Sequence, residues 1–281
     1  MFIRQRRPLR RRQQRRNNMS AMKFFHLKLF LAVLLVLLSA AFLLRPATTA
    51  SGASSRAVVV ELFTSEGCSS CPPADELLTH LRQDLAGRNI QVVPLGFHVD
   101  YWNSLGWKDR FSSADYSHRQ EQYARSLKVD GPYTPQMVVD GAEEFVGSSA
   151  RQAERAISNA ARQPEIAVVK LSAAGADQLS IEVKAPANAG DAGVLLAITE
   201  DNLSTNIGSG ENNGRTLHHA AVVRELRSLG RVHDGSFQAS VPIKLEKDWK
   251  RENLRAVVFV QQGDAGKIQG AASVTLVGQP R

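Results

Sequence analysis

Apolar and polar positions alternate with two different periods along the chain after residue 53. Up to residue 163, short apolar runs alternate with segments in which apolar residues recur every three or four positions, the patterns of strands and helices. The run Ala57–Phe63 is rich in valine and predicts a buried strand. Pro72–Leu85 predicts a helix, because prolines suit a first helical turn and leucines follow at helical spacing. The order is β-α-β-α-β-β-α, and its later elements are Ile90–Val99, Ser112–Leu127, Gln136–Asp140, Glu144–Gly147 and a helix from Ser148 or Ser149 to Gln163.

Beyond Pro164 the chain changes to short strands separated by glycine, asparagine and aspartate. Seven such strands within about 110 residues are typical of an antiparallel sandwich. We therefore predict an α/β domain over residues 54–164 and an all-β antiparallel sandwich over residues 165–281, with the long polar loop Asp201–His218 inside the sandwich. The predicted strands are Ile166–Ala173, Gln178–Ala185, Gly193–Glu200, Ala220–Leu226, Ser236–Ile243, Leu254–Gln262 and Lys267–Leu276.

Residues 1–53 have the pattern of a basic export leader. The apolar stretch Leu29–Leu44 is shorter than the roughly 20 residues that cross a bilayer, and two lysines before it supply the basic flank of a signal peptide. Small residues around Ala50 offer a cleavage site, whereas Arg45 favours an uncleaved N-terminal anchor. In both cases we predict an extracytoplasmic protein, periplasmic or secreted, anchored to the inner membrane through residues 29–44 if the leader stays uncleaved.

Composition and charge narrow the possible functions. With 43% hydrophobic and 22% charged residues, the chain is globular rather than disordered. Its net charge of +8 is concentrated in the leader, because residues 1–53 hold 11 of the 35 lysines and arginines and no acid. The remainder carries 24 bases against 27 acids, a net charge of −3. A nucleic-acid-binding body, which needs a cationic face, is therefore excluded.

The only two cysteines, Cys68 and Cys71, stand between the first predicted strand and the first helix. At a helix N-terminus, free backbone amides and the helix dipole stabilise a thiolate. Cysteines separated by two residues also form a small, reducible disulfide ring. We predict that Cys68, as the more exposed thiol, attacks and that Cys71 resolves. The redox-active disulfide is then the reactive group, no separate cofactor is expected, and the partner is a protein thiol or disulfide.

Three other interpretations of the cysteine pair compete with this one. An inert structural pair gains little from so short a loop, because closing it removes little chain entropy. A zinc site needs two more ligands, and the chain has no second cysteine pair. A copper site formed by both cysteines and a histidine such as His98 is the third. We assign no metal ligand on these grounds.

The strand–CxxC–helix order of residues 57–163 resembles the thioredoxin-like superfamily, and the resemblance implies an α/β thioredoxin-like domain. Thr134-Pro135, directly before a predicted strand, looks like the loop of that superfamily in which a cis-proline faces the cysteines. We therefore expect a cis peptide bond there, with Thr134 and Pro135 at the substrate edge. By comparison with the buried acid of thioredoxins, Glu61 is either a proton relay for Cys71 or a hydrogen-bonded strand acid.

A second resemblance is more specific and spans nearly the whole chain after the leader. The segments VELFTSEGCSSCPPAD at 60–75 and HVDYWNSLGWKD at 98–109 are similar to those of an exported family known as domain of unknown function 1223 (DUF1223). Tyr133-Thr134-Pro135-Gln136 and the segment GENNGRTL at 210–217 resemble the same family. The resemblance implies membership and export but no particular reaction.

Two groups near the predicted cysteine loop are candidates for substrate binding. His98 and Asp100 share one face of the second strand, and they either supply a base or metal ligand near the thiols or form a hydrogen-bonded pair that fixes the loop. Tyr101, Trp102 and Trp107 fall within one loop of a chain with only 6% aromatic residues. They either form a platform for a peptide substrate or anchor the loop to the sheet.

His218 and His219 follow the long polar loop. Adjacent residues of a strand point to opposite faces, so the two histidines cannot bind one metal together. If that loop faces the cysteines, His219 or Glu211 closes over their site.

From these observations the sequence predicts an exported thiol–disulfide oxidoreductase that uses Cys68 and Cys71 on protein thiols. The alternatives are a non-catalytic thioredoxin-like binding module, in which the cysteines rest oxidised, and a copper-handling protein of the cell envelope.

Overall fold

The computed structural model describes residues 56–85, 90–174, 177–187 and 189–276. The predicted leader and its cleavage site lie outside these residues. Among the helices of the described ranges, none is long and apolar enough to cross a membrane.

Strands and helices alternate from Ala57 to Ala161. Pro72 and Pro73 occupy the first two positions of the first helix, where a missing N–H costs nothing. The second helix begins after Ser113, whose side chain accepts a hydrogen bond from the Asp115 N–H. The elements are β1 (Ala57–Thr64), α1 (Pro72–Asp84), β2 (Gln91–His98), α2 (Ala114–Leu127), β3 (Gln136–Val139), β4 (Glu143–Val146) and α3 (Ala150–Ala161).

From Val168 to Thr275 the described chain consists mainly of strands. The predicted long loop Asp201–His218 overlaps two of them, which form a short antiparallel hairpin. A single 3₁₀ turn, Arg251–Asn253, precedes the last two strands. The strands are β5 (Val168–Ala173), β6 (Gln178–Lys184), β7 (Ala192–Glu200), β8 (Leu203–Asn206), β9 (Thr216–His219), β10 (Val222–Arg231), β11 (Ser236–Pro242), β12 (Leu254–Gln262) and β13 (Ile268–Thr275).

The predicted fold class is wrong. Eight strands from both halves of the chain form one mixed sheet, in the order β13–β12–β7–β10–β2–β1–β3–β4. Strands hold 43% of the described residues and helices 18%, so the chain is mostly β. It is not an α/β thioredoxin-like domain followed by an antiparallel sandwich. The described residues, from Arg56 to Leu276, form one compact unit.

The two halves of the sheet join at a single point beside β2. Val222 pairs in parallel with Gly96, and the Gly96 N–H donates to the carbonyl of Ala221 at 2.7 Å. A Cβ on Gly96 would lie 3.4 Å from that carbonyl oxygen, in van der Waals contact with it. Alternation of apolar and polar residues predicts that a segment is a strand but not which strand lies beside it. The continuous sheet is therefore not visible in the sequence pattern.

Both faces of the large sheet are covered. Val58, Val60 and Leu62 of β1 pack with α1 and α3, whereas Val59 and Phe63 face the opposite side and pack with α2. Over the second half, the three-stranded sheet β11–β6–β5 covers β7 and β12. This arrangement brings the ends of β1 and β2 and the β8–β9 hairpin to the start of α1.

Candidate thiol–disulfide site

The two cysteines form a disulfide bond at the junction of β1 and α1. Cys71 occupies the N-cap position of α1. Both cysteines are fully buried, with 0% of their surface exposed. The prediction that Cys68 is the more exposed thiol is therefore wrong. Residues 66–71, the cysteine loop, are covered by residues 207–215, which we call the covering segment.

The covering segment is fixed to the cysteine loop by a buried side chain. The amide of Asn212 donates to the carbonyl oxygens of Glu66 and Cys68 at 2.9 and 3.0 Å. Its own carbonyl oxygen accepts from Arg215 at 2.8 Å. Beside it, the Glu211 carboxylate accepts from the Ser69 N–H at 3.0 Å. Glu211, one of the two residues that the sequence offered for closing over the cysteines, thus lies beside Ser69.

The start of α1 offers fewer free amides than the sequence predicts. Pro72 and Pro73 have no N–H, and the amides of Ala74 and Asp75 donate to the Cys71 carbonyl at 2.8 and 3.2 Å. The amide of Ser69 already donates to Glu211. A thiolate at Cys68 would therefore compete with acceptors that are already in place.

The peptide bond between Thr134 and Pro135 is cis, as expected. The indole N–H of Trp102 donates to the Thr134 hydroxyl at 2.8 Å. A Cβ on Gly147 would lie 3.2 Å from the Pro135 Cβ and 3.3 Å from the Ala74 Cβ. Pro135 therefore lies beside the first turn of α1, the helix that begins after Cys71.

The aromatic loop is anchored by each of its three large side chains. Besides Trp102, Tyr101 donates to Gln120 at 3.1 Å and Trp107 donates to the Glu66 carboxylate at 2.9 Å. These bonds support the anchoring interpretation. Tyr101 still exposes 40% of its surface, so binding of a peptide there stays a prediction.

His98 pairs with a different acid from the one that the strand pattern offers. Its Nδ1 lies 2.6 Å from the Asp109 carboxylate, and both side chains are buried. Asp100 instead accepts from the Ser117 hydroxyl at 2.5 Å. Burial lowers the pKa of His98, but the charge of Asp109 and its hydrogen bond outweigh burial and raise that pKa above its ordinary value. The pairing with Asp109 therefore favours the charged form of His98.

Glu66 links the cysteine loop to the second half of the chain. Its carboxylate lies 3.2 Å from Nε2 of His219, a residue of β9. Burial raises the pKa of Glu66, but the bonds from His219 and other donors bring it below its ordinary value. The rings of His98 and His219 lie 4.9 Å apart. The other nitrogen of His219 is buried without a hydrogen-bond partner within the described residues.

Asp75 is the acid nearest to Cys71 along α1. It stands four residues beyond Cys71, a spacing that places two side chains on the same helix face. It is buried and accepts from the Thr64 hydroxyl at 3.1 Å. Burial raises the pKa of Asp75, and the nearby histidines only partly oppose the shift. Asp75 therefore keeps its proton at higher pH than an ordinary aspartate.

Glu61, the predicted proton relay, lies on the face of β1 that packs against α2. It forms a buried ion pair with Arg119, with contacts of 2.6 and 3.0 Å, and accepts from the Tyr123 hydroxyl at 2.5 Å. Arg119 and Tyr123 both belong to α2. These contacts agree with the alternative interpretation of Glu61 as a hydrogen-bonded strand acid.

A cavity of about 400 Å³ opens between α1 and β9, and Pro72, the first residue of α1, lines it. Asp75 and Thr79 line one side of it, and Arg215 and Leu217 line the other. No group of three or more histidine, cysteine or acidic side chains in the described ranges could hold a metal ion.

Sequence reasoning missed Asp75, Asp109 and Asn212. Asp75 carries a usable signal, since its spacing from Cys71 is that of one helical turn. Asp109 lies in the motif at 98–109 but eleven residues from its partner His98, a separation with no periodic meaning. Asn212 is 144 residues from Cys68, and nothing in the sequence pattern indicates that contact.

Residues 59–261 match the model of a family described as protein of unknown function (DUF1223). The match covers more than half of the chain. A search of curated proteins found no match.

Two solved structures extend the comparison. A crystal structure of a protein from Agrobacterium tumefaciens is 30% identical and covers 80% of this chain and 96% of its own, with a TM-score of 0.65. A domain of the outer membrane lipoprotein Omp28 from Porphyromonas gingivalis is 11% identical and covers 41% of this chain and 88% of its own. Its TM-score is 0.26, too low to support an argument about the fold.

Proposed function

Since the chain belongs to the DUF1223 family, we propose its function from the chemistry of the site: an extracytoplasmic thiol–disulfide oxidoreductase acting on protein cysteines. The observation that carries the proposal is a CxxC disulfide at the start of α1 with a buried carboxylic acid, Asp75, one helical turn beyond Cys71. Such disulfide rings exchange with thiols, and a buried carboxyl group whose pKa is raised is a better proton acceptor than an ordinary aspartate. The sequence likeness of residues 57–163 to thioredoxin-like proteins supports the chemistry and not a fold.

The exchange conserves electrons and protons between two dithiol–disulfide pairs. The thiolate of reduced Cys68 attacks a substrate disulfide, forms a mixed disulfide and releases one substrate thiolate. Cys71 then attacks the Cys68 sulfur and gives its proton to the Asp75 carboxylate. The second substrate sulfur leaves as a thiolate and takes up a proton. Two electrons have passed to the substrate, and the same steps in reverse oxidise a substrate dithiol.

The compartment forms part of the proposal. A disulfide persists where glutathione and thioredoxin do not keep thiols reduced, which is outside the cytoplasm. The apolar stretch Leu29–Leu44 behind a basic segment supplies an export signal, either cleaved or kept as an anchor. Fractionation of cells that produce the full chain, with mass spectrometry of its N-terminus, tests both points.

One observation favours a second candidate function. Both cysteines are fully buried under the covering segment, so a substrate reaches them only after that segment moves. If the segment stays closed, the disulfide is a resting structural pair and the protein is a binding module. The reduction potential separates the two functions. An exchanger is expected above about −250 mV and a resting pair below about −300 mV.

Trapping of a mixed disulfide tests the roles of the two cysteines. In Cys71→Ser the resolving thiol is gone, so Cys68 should stay bound to its substrate and give adducts on a non-reducing gel. Cys68→Ser is the matched control and should give none. If Cys71→Ser forms no adduct under conditions in which the wild type exchanges disulfides, the assignment of attacking and resolving thiols is wrong.

A further inference from the structure

The carboxylate of Glu211 binds the backbone of Ser69, the residue that follows Cys68. It thereby places a negative charge beside the cysteine pair. The carboxylate accepts from the Ser69 N–H at 3.0 Å. Hydrogen bonds from the Ser69 hydroxyl and amide keep the pKa of Glu211 below its ordinary value, so the side chain is ionised at neutral pH. Glu211 belongs to the second half of the chain, 142 residues from Ser69.

The covering segment is held on both sides of Glu211. The buried Asn212 binds two carbonyl oxygens of the cysteine loop, and the Ser209 hydroxyl donates to the Gly106 carbonyl at 2.6 Å. Gly210 has a φ of +73°, and a Cβ there would lie 3.1 Å from the Trp107 Cβ. The carboxylate of Glu211 is therefore fixed beside Ser69 by contacts other than its own.

The charge of Glu211 affects the two redox states of the cysteines differently. The disulfide is uncharged, whereas reduced Cys68 must be a thiolate to react. The Glu211 carboxylate, which is fixed at Ser69, repels a thiolate at Cys68. It also occupies the Ser69 amide, a donor that would otherwise be free to stabilise the thiolate.

We propose that Glu211 is a positioning residue that sets the redox balance of Cys68 and Cys71, favouring the disulfide over the reduced thiolate. The proposal deepens the oxidoreductase function, on which it rests. By reciprocity of coupled equilibria, reduction to the thiolate weakens the hold of Glu211 on Ser69 and favours opening of the covering segment. Opening exposes Cys68 to a substrate in the state in which it attacks.

The test is a redox equilibrium of the full chain with glutathione at pH 7. One protein disulfide and two glutathione thiols give one protein dithiol and one glutathione disulfide, and mass-tagging of thiols measures the reduced fraction. Glu211→Gln should shift this equilibrium toward the dithiol by about twofold to fivefold, the range of an exposed charge interaction. Glu211→Lys should shift it further in the same direction. Glu246→Gln removes another exposed acid and should leave it unchanged.

Two further readouts separate the charge effect from a change in packing. The shift caused by Glu211→Gln should shrink in about 1 M salt, where charges are screened within roughly 3 Å. In the wild type, amide hydrogen exchange in residues 207–215 should be faster in the reduced protein than in the oxidised protein. If Glu211→Gln and Glu211→Lys both match the wild type, or move the equilibrium toward the disulfide, the proposal is overturned.

This equilibrium is independent of turnover, so the two proposals fail separately. A shift in Glu211→Gln without any exchange on protein substrates retains the role of Glu211 and rejects the oxidoreductase. Exchange on protein substrates without a shift in Glu211→Gln retains the oxidoreductase function and rejects the role of Glu211.

Discussion

Two clusters of buried charged side chains differ in how completely their atoms are paired. The first, the Glu61 cluster, lies between β1 and α2 and consists of Glu61, Arg119, Tyr123 and Gln261. Arg119 donates to both carboxylate oxygens of Glu61 and to Gln261, and Tyr123 adds a further bond to the carboxylate. Each of the four side chains is hydrogen-bonded to at least one other member of the cluster.

The second, the cysteine-side cluster, lies at the start of α1 and consists of Glu66, Asp75, His98, Asp109 and His219. Its acids are shifted in opposite directions, since burial raises the pKa of Asp75 while His98 overcomes burial to lower that of Asp109. One nitrogen of His219 has no hydrogen-bond partner in the described part of the chain, and Asp75 borders a cavity. Opposed shifts in neighbouring acids are typical of acid–base chemistry, whereas a saturated ion pair is typical of a structural role.

The largest effect should come from breaking the structural cluster. Arg119→Met leaves the Glu61 carboxylate buried without its cation, and the free energy of unfolding should fall by about 3–5 kcal/mol. Chemical denaturation of the oxidised protein measures the loss. The double variant Glu61→Gln with Arg119→Met removes both charges and should recover most of it. A loss in Arg119→Met below about 1 kcal/mol would contradict a structural role for the pair.

For Asp75 we expect the opposite pattern: its replacement should slow disulfide exchange and leave the free energy of unfolding unchanged. Asp75→Asn keeps the side-chain size and the acceptor for Thr64, but it cannot take the proton of Cys71. Reduction of a protein disulfide at pH 7 should slow by about 10- to 100-fold, at the low end of general acid–base effects. The free energy of unfolding should not fall, because burial already disfavours the charged form of Asp75.

Glu61→Gln is the matched control for the rate. Exchange per folded molecule should be unchanged in that variant, although the protein is less stable. If Glu61→Gln slows exchange and Asp75→Asn does not, the roles of the two clusters are reversed.

Local pattern predicted the elements around the site better than it predicted their assembly. The prolines after Cys71 and the serine before α2 act within one turn of helix, so sequence neighbours determine those helix starts. The sequence singled out Glu61 and not Asp75, for a physical reason. Burial alone does not separate the two acids, and the partner that neutralises Glu61, Arg119, lies 58 residues away.

The contacts that cover the cysteines were harder to predict. The β8–β9 hairpin consists of two four-residue strands, too short for a clear alternation, so it was expected to be loop. The junction of Val222 with Gly96 is a single pairing between strands from different halves of the chain. Tertiary contacts of this kind follow from packing and not from local propensity.

The smallest effect should appear in the pH dependence of the free energy of unfolding. This measurement needs no substrate and still distinguishes the two clusters. The raised pKa of His98 means that its pairing with Asp109 stabilises the fold fully below the ordinary histidine pKa of 6.5 and loses this effect as pH rises through the folded value. Asp109 has a lowered pKa, so its contribution is present above the ordinary value of 3.8 and is lost as pH falls through the folded one. Stability from the pair is therefore greatest between these two ordinary values.

In His98→Gln the decline in unfolding free energy as pH rises above 6.5 should be smaller, by about 1.4 kcal/mol for each unit of pKa shift removed. His118→Gln is the matched control, because its side chain is 63% exposed. Denaturation curves at several pH values measure both variants against the wild type. An unchanged pH dependence in His98→Gln would show that pairing with Asp109 does not raise the pKa of the histidine, and the contrast between the clusters would then rest on Asp75 alone.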